Sequence, residues 1–177
     1  MLWLGLTAIA FTIIHDAVLL YKRRWWDLAW VCHLSSAIIG VGCIFDWPYV
    51  VGIAVVWLFV GLTLWIVGLL TSEDFLPTST LTHVGGLVIG VIYISQRGMP
   101  DGVWWRGILI LIAIQHLTRY CTPAQENVNL AFFVSKGWES WFPTYPRYWL
   151  MLKVASIIMY LIAEFGLRAL FGEPSSA

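Results

Sequence analysis

The residues able to do chemistry in this 177-residue chain are few, and most stand inside long apolar runs. His15 and Asp16 come near the end of the first run. Cys32, His33, Ser35 and Ser36 open the second, His83 opens the fourth, and His116 ends the fifth. An ionisable side chain is costly to place in hydrocarbon, and where it occurs it marks a function by default. On a helix, Cys32, Ser35 and Ser36 share one face, and His33 joins Ser36 at i,i+3. A thiol or hydroxyl beside an imidazole is the kit of nucleophilic catalysis: one attacks an acyl carbon while the other takes and returns a proton. The expected catalytic set is therefore His83, Ser35, Cys32 and His33, with Ser35 or Cys32 as nucleophile and His83 as base. Asn127, Asn129, Trp141, His116 and Asp16 are expected to contact substrate, and Asn129 with His33 also suits an oxyanion.

Plainer roles exist for each group. A transmembrane histidine such as His15 or His116 often bonds one helix to another, a helical serine bonds back to the i−4 carbonyl, and a buried cysteine behaves as a small hydrophobe. The cysteines are odd in number and lack CxxC spacing, so neither a disulfide framework nor a zinc motif is expected. The leading reading thus carries no cofactor and no metal. Its alternative is a non-catalytic protein, either binding haem, a metal or lipid through its histidines or serving as an accessory subunit of a larger membrane complex.

What must position these groups is a membrane bundle. Hydrophobic residues make up 60% of the chain and charged residues 11%, with mean hydropathy +0.81. A soluble domain carries about 25% charged residues, so most of this surface faces lipid. A membrane-spanning helix needs about 20 apolar residues, and the runs at 2–20, 27–45, 50–70, 79–95, 103–118 and 148–171 predict an all-α bundle of six in one domain. The first run lacks a basic leader and a small-residue cleavage site, so it is expected to be retained. A formal charge of zero gives no sign of a nucleic-acid footprint, and no nucleic-acid partner is expected; membrane lipids are the expected partners. The segment 119–147 is long for a connection; apolar spacing in its middle fits either an interfacial stretch or a fold back into the bundle.

Odd and even spans run in opposite directions, which brings all four histidines to one half of the bilayer. Lys22, Arg23, Arg24, Arg119, Lys136 and Arg147 lie on that side, against Arg97, Arg106 and Arg168 on the other. The positive-inside rule makes it cytoplasmic and puts both termini outside. On the fourth span, Gly86 and Gly90 form a small-xxx-small face beneath His83, allowing a neighbouring helix to come close.

In their order, several motifs resemble one family. These are Cys32-His33-Leu34-Ser35, Leu81-Thr82-His83-Val84-Gly85, Asn127-Val128-Asn129-Leu130 and the run from Trp141 to Trp149. Together, over about residues 25–170, the chain resembles the YwaF-type bacterial six-pass membrane proteins and their vertebrate relatives, the TMEM-type membrane acyltransferases. The resemblance implies a six-pass fold in a bacterial inner membrane and acyl transfer to lipids by a cysteine and a histidine. Here Ser35 stands where that pattern leads one to expect a cysteine after the histidine, while Cys32 stands just before it.

Overall fold

The computed structural model describes residues 1–71 and 76–173. Among them the chain is all-helical: α1 (Leu2–Tyr21), α2 (Val31–Phe45), α3 (Pro48–Thr71), α4 (Gly86–Arg97), α5 (Val103–Cys121) and α6 (Tyr145–Phe171). The six apolar runs of the sequence are these six helices. Three of them, α1, α3 and α6, are long and apolar enough to cross a membrane, whereas α2 is apolar but has 15 residues. The acidic stretch at Glu73 and Asp74 and the tail after Glu173 lie outside the described residues.

Burial follows helical spacing. Along α1 the buried positions are Gly5, Ala8, Thr12, His15 and Leu19, a stripe at intervals of three and four that turns one face inward. In α3, by contrast, every residue from Ala54 to Leu58 is buried. It packs against α2, α4, α5 and α6, so it is the central helix, and a helix apolar all round belongs there.

Close backbone approaches set the register. A Cβ on Gly5 would stand 2.5 Å from the carbonyl of Gly40, and one on Gly40 would stand 3.0 Å from that of Gly5. α1 and α2 therefore touch backbone to backbone. As they run antiparallel from that contact, His15 comes level with the first turn of α2.

Several ends differ from the sequence reading. α2 begins at Val31, four residues after 27, because Trp25–Ala29 forms a 3₁₀ turn and Trp30 is extended (φ −65°, ψ 132°). The Asp27 carbonyl is taken instead by the Trp30 amide at 3.2 Å and the His33 ring at 2.7 Å. α5 runs on to Cys121, and α6 starts at Tyr145, where Pro146 suits a first turn. α5 itself starts under a carboxylate from another helix: Glu164 of α6 accepts the amides of Gly102 and Trp104, both at 2.8 Å, as a side-chain cap would.

The segment between α5 and α6 is no long amphipathic helix. It makes two short 3₁₀ turns, Ala124–Glu126 and Val128–Leu130, and buries Val128, Asn129 and Ala131 against the bundle end. Asn127, Asn129 and Leu130 all have positive φ (43°, 55° and 54°); asparagine is among the few non-glycine residues that visit this region routinely. The Val31 amide donates to Asn129 Oδ1 at 2.8 Å, and His15 Nδ1 meets Thr78 Oγ1 at 2.9 Å. Described residues of the connections after α1, before α4 and after α5 thus gather at one end, as the alternating direction of the helices led one to expect. At the other end, Asp46 in left-handed conformation closes α2 and pairs with Arg97 at 2.8 Å, while Tyr93 donates to it at 2.8 Å.

Candidate metal centre

Where the connections gather, three imidazoles from three helical segments pack together. His15 comes from α1, His33 from the first turn of α2, and His83 from the turn that leads into α4. The rings of His15 and His33 meet edge to face at 4.6 Å between centroids, and those of His33 and His83 at 5.5 Å. Cys32 joins them: its Sγ and one ring nitrogen each of His33 and His83 all lie within 4.8 Å of one another.

Local backbone accounts for His83. The residues Leu81–Gly85 form a π turn, in which the Gly86 amide reaches five residues back to the Leu81 carbonyl. Such wide turns are rare, and those that occur are frequently at functional sites. The Ser79 carbonyl accepts the Thr82 hydroxyl at 3.0 Å and the His83 Nδ1–H at 2.9 Å. Ser79 acts on the other side too, since its Oγ accepts the Trp65 indole N–H at 2.9 Å, and the Trp65 ring stacks on His83 at 5.4 Å and 18°. The imidazole is fixed both in its plane and at its edge.

The partners decide which ring nitrogens carry protons. A carbonyl oxygen only accepts, so His33 Nδ1, facing Asp27 O at 2.7 Å, bears hydrogen. The same holds for His83 Nδ1 on Ser79 O. In the neutral rings, Nε2 of both is then a lone pair. His15 Nε2 stands 3.3 Å from His33 Nε2, so His15 donates there and its Nδ1 accepts from Thr78 Oγ1. Metal-binding histidines show this same pattern, with the outer N–H held by a carbonyl or carboxylate and the inner nitrogen bare.

The other expected site residues divide. Ser35 is wholly buried, and its hydroxyl donates to the Val31 carbonyl at 2.6 Å, the back-bonding common in helices. Asn129 does not reach the histidines. Its amide spans Val31 N, Ala29 O (2.9 Å) and Thr118 Oγ1 (3.1 Å), while Gln115 donates to its carbonyl at 2.6 Å. It is a clamp that holds the start of α2, and with it Cys32 and His33. Asn127 caps its own loop, accepting the amides of Phe132 and Phe133 at 3.0 and 3.2 Å.

Asp16 follows His15, and its Oδ1 is buried without a hydrogen-bond partner. His116 and Trp141 are exposed and are not brought to the cluster. His116 has the expected depth but the wrong rotation, because the inner face of α5 carries Gly107, Gln115 and Thr118.

His15 belongs to the centre, although the sequence reading left it out of the catalytic set. The supporting Thr78, Ser79 and Trp65 were not singled out either, nor were the buried Lys153 and Glu164 of α6. A histidine level with two others was the one signal available.

The rings touch edge to face, which leaves no slot for a porphyrin between neighbours; a single ion is the group that fits. The thiol and imidazole donors suit borderline-soft ions such as Zn²⁺ or copper. Tetrahedral zinc, with Zn–S about 2.3 Å and Zn–N about 2.0–2.1 Å, sets ligand separations of about 3.3–3.6 Å. Cys32, His33 and His83 reach that spacing by closing about 1 Å. The chain matches no family model, no curated protein and no solved structure.

Proposed function

We propose that this chain is a polytopic membrane protein that binds one borderline-soft transition-metal ion through Cys32, His33 and His83. The observation that carries the proposal is that Cys32 Sγ and one ring nitrogen each of His33 and His83 lie within 4.8 Å of one another, in two rings whose Nδ1–H rests on a backbone carbonyl. In the metal-free protein His33 Nε2 accepts from His15 Nε2 at 3.3 Å, and both His33 and His83 have the outer N–H support that metal-binding histidines have. All six helices cross the membrane in this reading. The end rich in Lys22, Arg23 and Arg24 faces the cytoplasm of a bacterial inner membrane, so the ion sits in the cytoplasmic half of the bilayer.

The test is elemental analysis of protein purified in detergent, stripped with a chelator and reloaded with Zn²⁺. One zinc per chain is expected, lost in Cys32→Ala and in His83→Ala. Wild-type protein that retains no zinc against a weak competing chelator would overturn the proposal.

A second reading, acyl transfer, rests on the same thiol. Cys32 Sγ lies within 4.8 Å of a ring nitrogen of His83, whereas Ser35 is already bonded to Val31 O. In that reading Cys32 gives up its proton to His83, the thiolate attacks a lipid ester carbonyl, and the leaving alkoxide takes the proton from His83. A hydroxylamine-labile acyl group on Cys32 after incubation with labelled phospholipid is its signature, and turnover that persists in Cys32→Ala excludes it.

A further inference from the structure

We infer that His15 is the ligand that closes this site, so that the ion is held by Cys32 Sγ and by Nε2 of His15, His33 and His83. The inference rests on the metal reading above and adds the fourth ligand, which decides whether a coordination position stays open.

The first ground is a distance. Two nitrogens bound to one tetrahedral zinc at about 2.0–2.1 Å stand about 3.3–3.4 Å apart. His15 Nε2 and His33 Nε2 are 3.3 Å apart, so this pair already spans one edge of the tetrahedron.

The second ground is the partner of the outer nitrogen. In the metal-free protein, His15 holds its proton on Nε2 and covers the His33 lone pair that the ion requires. Binding therefore needs His15 to give up that bond. Its Nδ1 lies 2.9 Å from Thr78 Oγ1, and a hydroxyl accepts as readily as it donates. The proton moves from Nε2 to Nδ1 by exchange through water at the bundle end, and the Thr78 hydroxyl turns from donor to acceptor. His15 stays neutral, both Nε2 atoms become lone pairs, and the Cys32 thiol proton leaves to solvent as H⁺ when the thiolate–metal bond forms. In the loaded state each imidazole then rests its outer N–H on an oxygen: Thr78 Oγ1, Asp27 O and Ser79 O. All three histidines acquire the outer partner that metal ligands have.

The functional consequence is a closed site. Catalytic zinc keeps one position for water, and structural zinc fills all four from the protein. With His15 in place, the centre holds its ion and does not activate a water molecule.

The experiment uses Co²⁺ alone as probe, titrated into chelator-stripped full-length protein in detergent, with His15→Phe and Thr78→Val beside the wild type. Wild type is expected to show intense tetrahedral d–d bands with thiolate-to-cobalt charge transfer, unchanged by added azide. His15→Phe should bind about 10–100-fold more weakly and shift its bands with azide, which takes the vacated position. Thr78→Val should keep the tetrahedral bands and lose about 10–100-fold in affinity, the usual effect of removing an outer partner. Azide-sensitive wild-type bands, or His15→Phe at full affinity with an unaltered spectrum, would overturn the fourth ligand while leaving the metal reading standing. A wild type without any thiolate-to-cobalt band would overturn both.

Discussion

Replacing Asn129 tests how the loop end holds the proposed metal site. Its side chain accepts the Val31 amide, one of the four N–H groups that α2 cannot satisfy itself, and donates to Ala29 O and Thr118 Oγ1. Asn129→Ala strips the partners from the buried Val31 N–H and from the Ala29 carbonyl. Each unsatisfied group costs about 1–3 kcal/mol. Alanine must also hold φ near 55°, a left-handed conformation that costs an ordinary residue about 1–2 kcal/mol. Water entering at the bundle end offsets part of this, which leaves an expected loss of about 3 kcal/mol.

Asn129→Gly loses the same hydrogen bonds but takes that φ freely, so it should be about 0.5–1 kcal/mol less damaging. The assay is unfolding by SDS titration in mixed micelles, run for wild type and both variants. Zinc affinity should fall in parallel, because Asn129 positions the turn that carries Cys32 and His33. A loss under about 1 kcal/mol for Asn129→Ala, or glycine faring worse than alanine, would refute the clamp.

Two further outcomes follow from other contacts. Gly86→Ala should cost about 1–3 kcal/mol by overpacking, since its Cβ would stand 2.9 Å from Ser36 Oγ; a second change, Ser36→Gly, should restore most of the loss in the same SDS titration. The Tyr93 hydroxyl, with Arg97, holds the Asp46 carboxyl below its ordinary 3.8. Its stabilising share is therefore present above pH about 3.8 and is lost as pH falls through the lower folded value, so Asp46→Asn should flatten the acid limb of stability against pH.

Much of the fold is legible in the sequence because hydropathy alone separates six apolar runs, and those runs are the six helices. Their ends are less so. The break at Trp30 depends on a carbonyl of Asp27 that a side chain from the next turn captures, and composition carries no trace of that. The pairing of His33 with His83 is legible from matched depth and from the small residues that let α2 and α4 approach. His15 has the same depth, but its rotation depends on the Gly5–Gly40 contact, and the sequence alone does not say which neighbour α1 will touch. His116 shows the converse: depth is right and rotation wrong, although the burial of its neighbour Gln115 follows from the phase that Gly107 and Thr118 set. Asn129 is legible as a polar group at the correct end and illegible as a clamp, because its partners are backbone atoms.

The π turn at Leu81–Gly85 carries an evolutionary consequence. A turn of this kind holds one residue more than the α-helix around it, and it is most simply gained or lost by a single codon. Deleting one residue between Ser79 and Gly85 would heal the turn into regular helix and leave Gly86–Arg97 packed as before. Where the residue lost is Val84 or Gly85, His83 moves one position nearer to Gly86 and swings around the helix axis by up to about 100°, away from His33. The proposed metal site is therefore separable from its scaffold by a single residue of chain length in this segment.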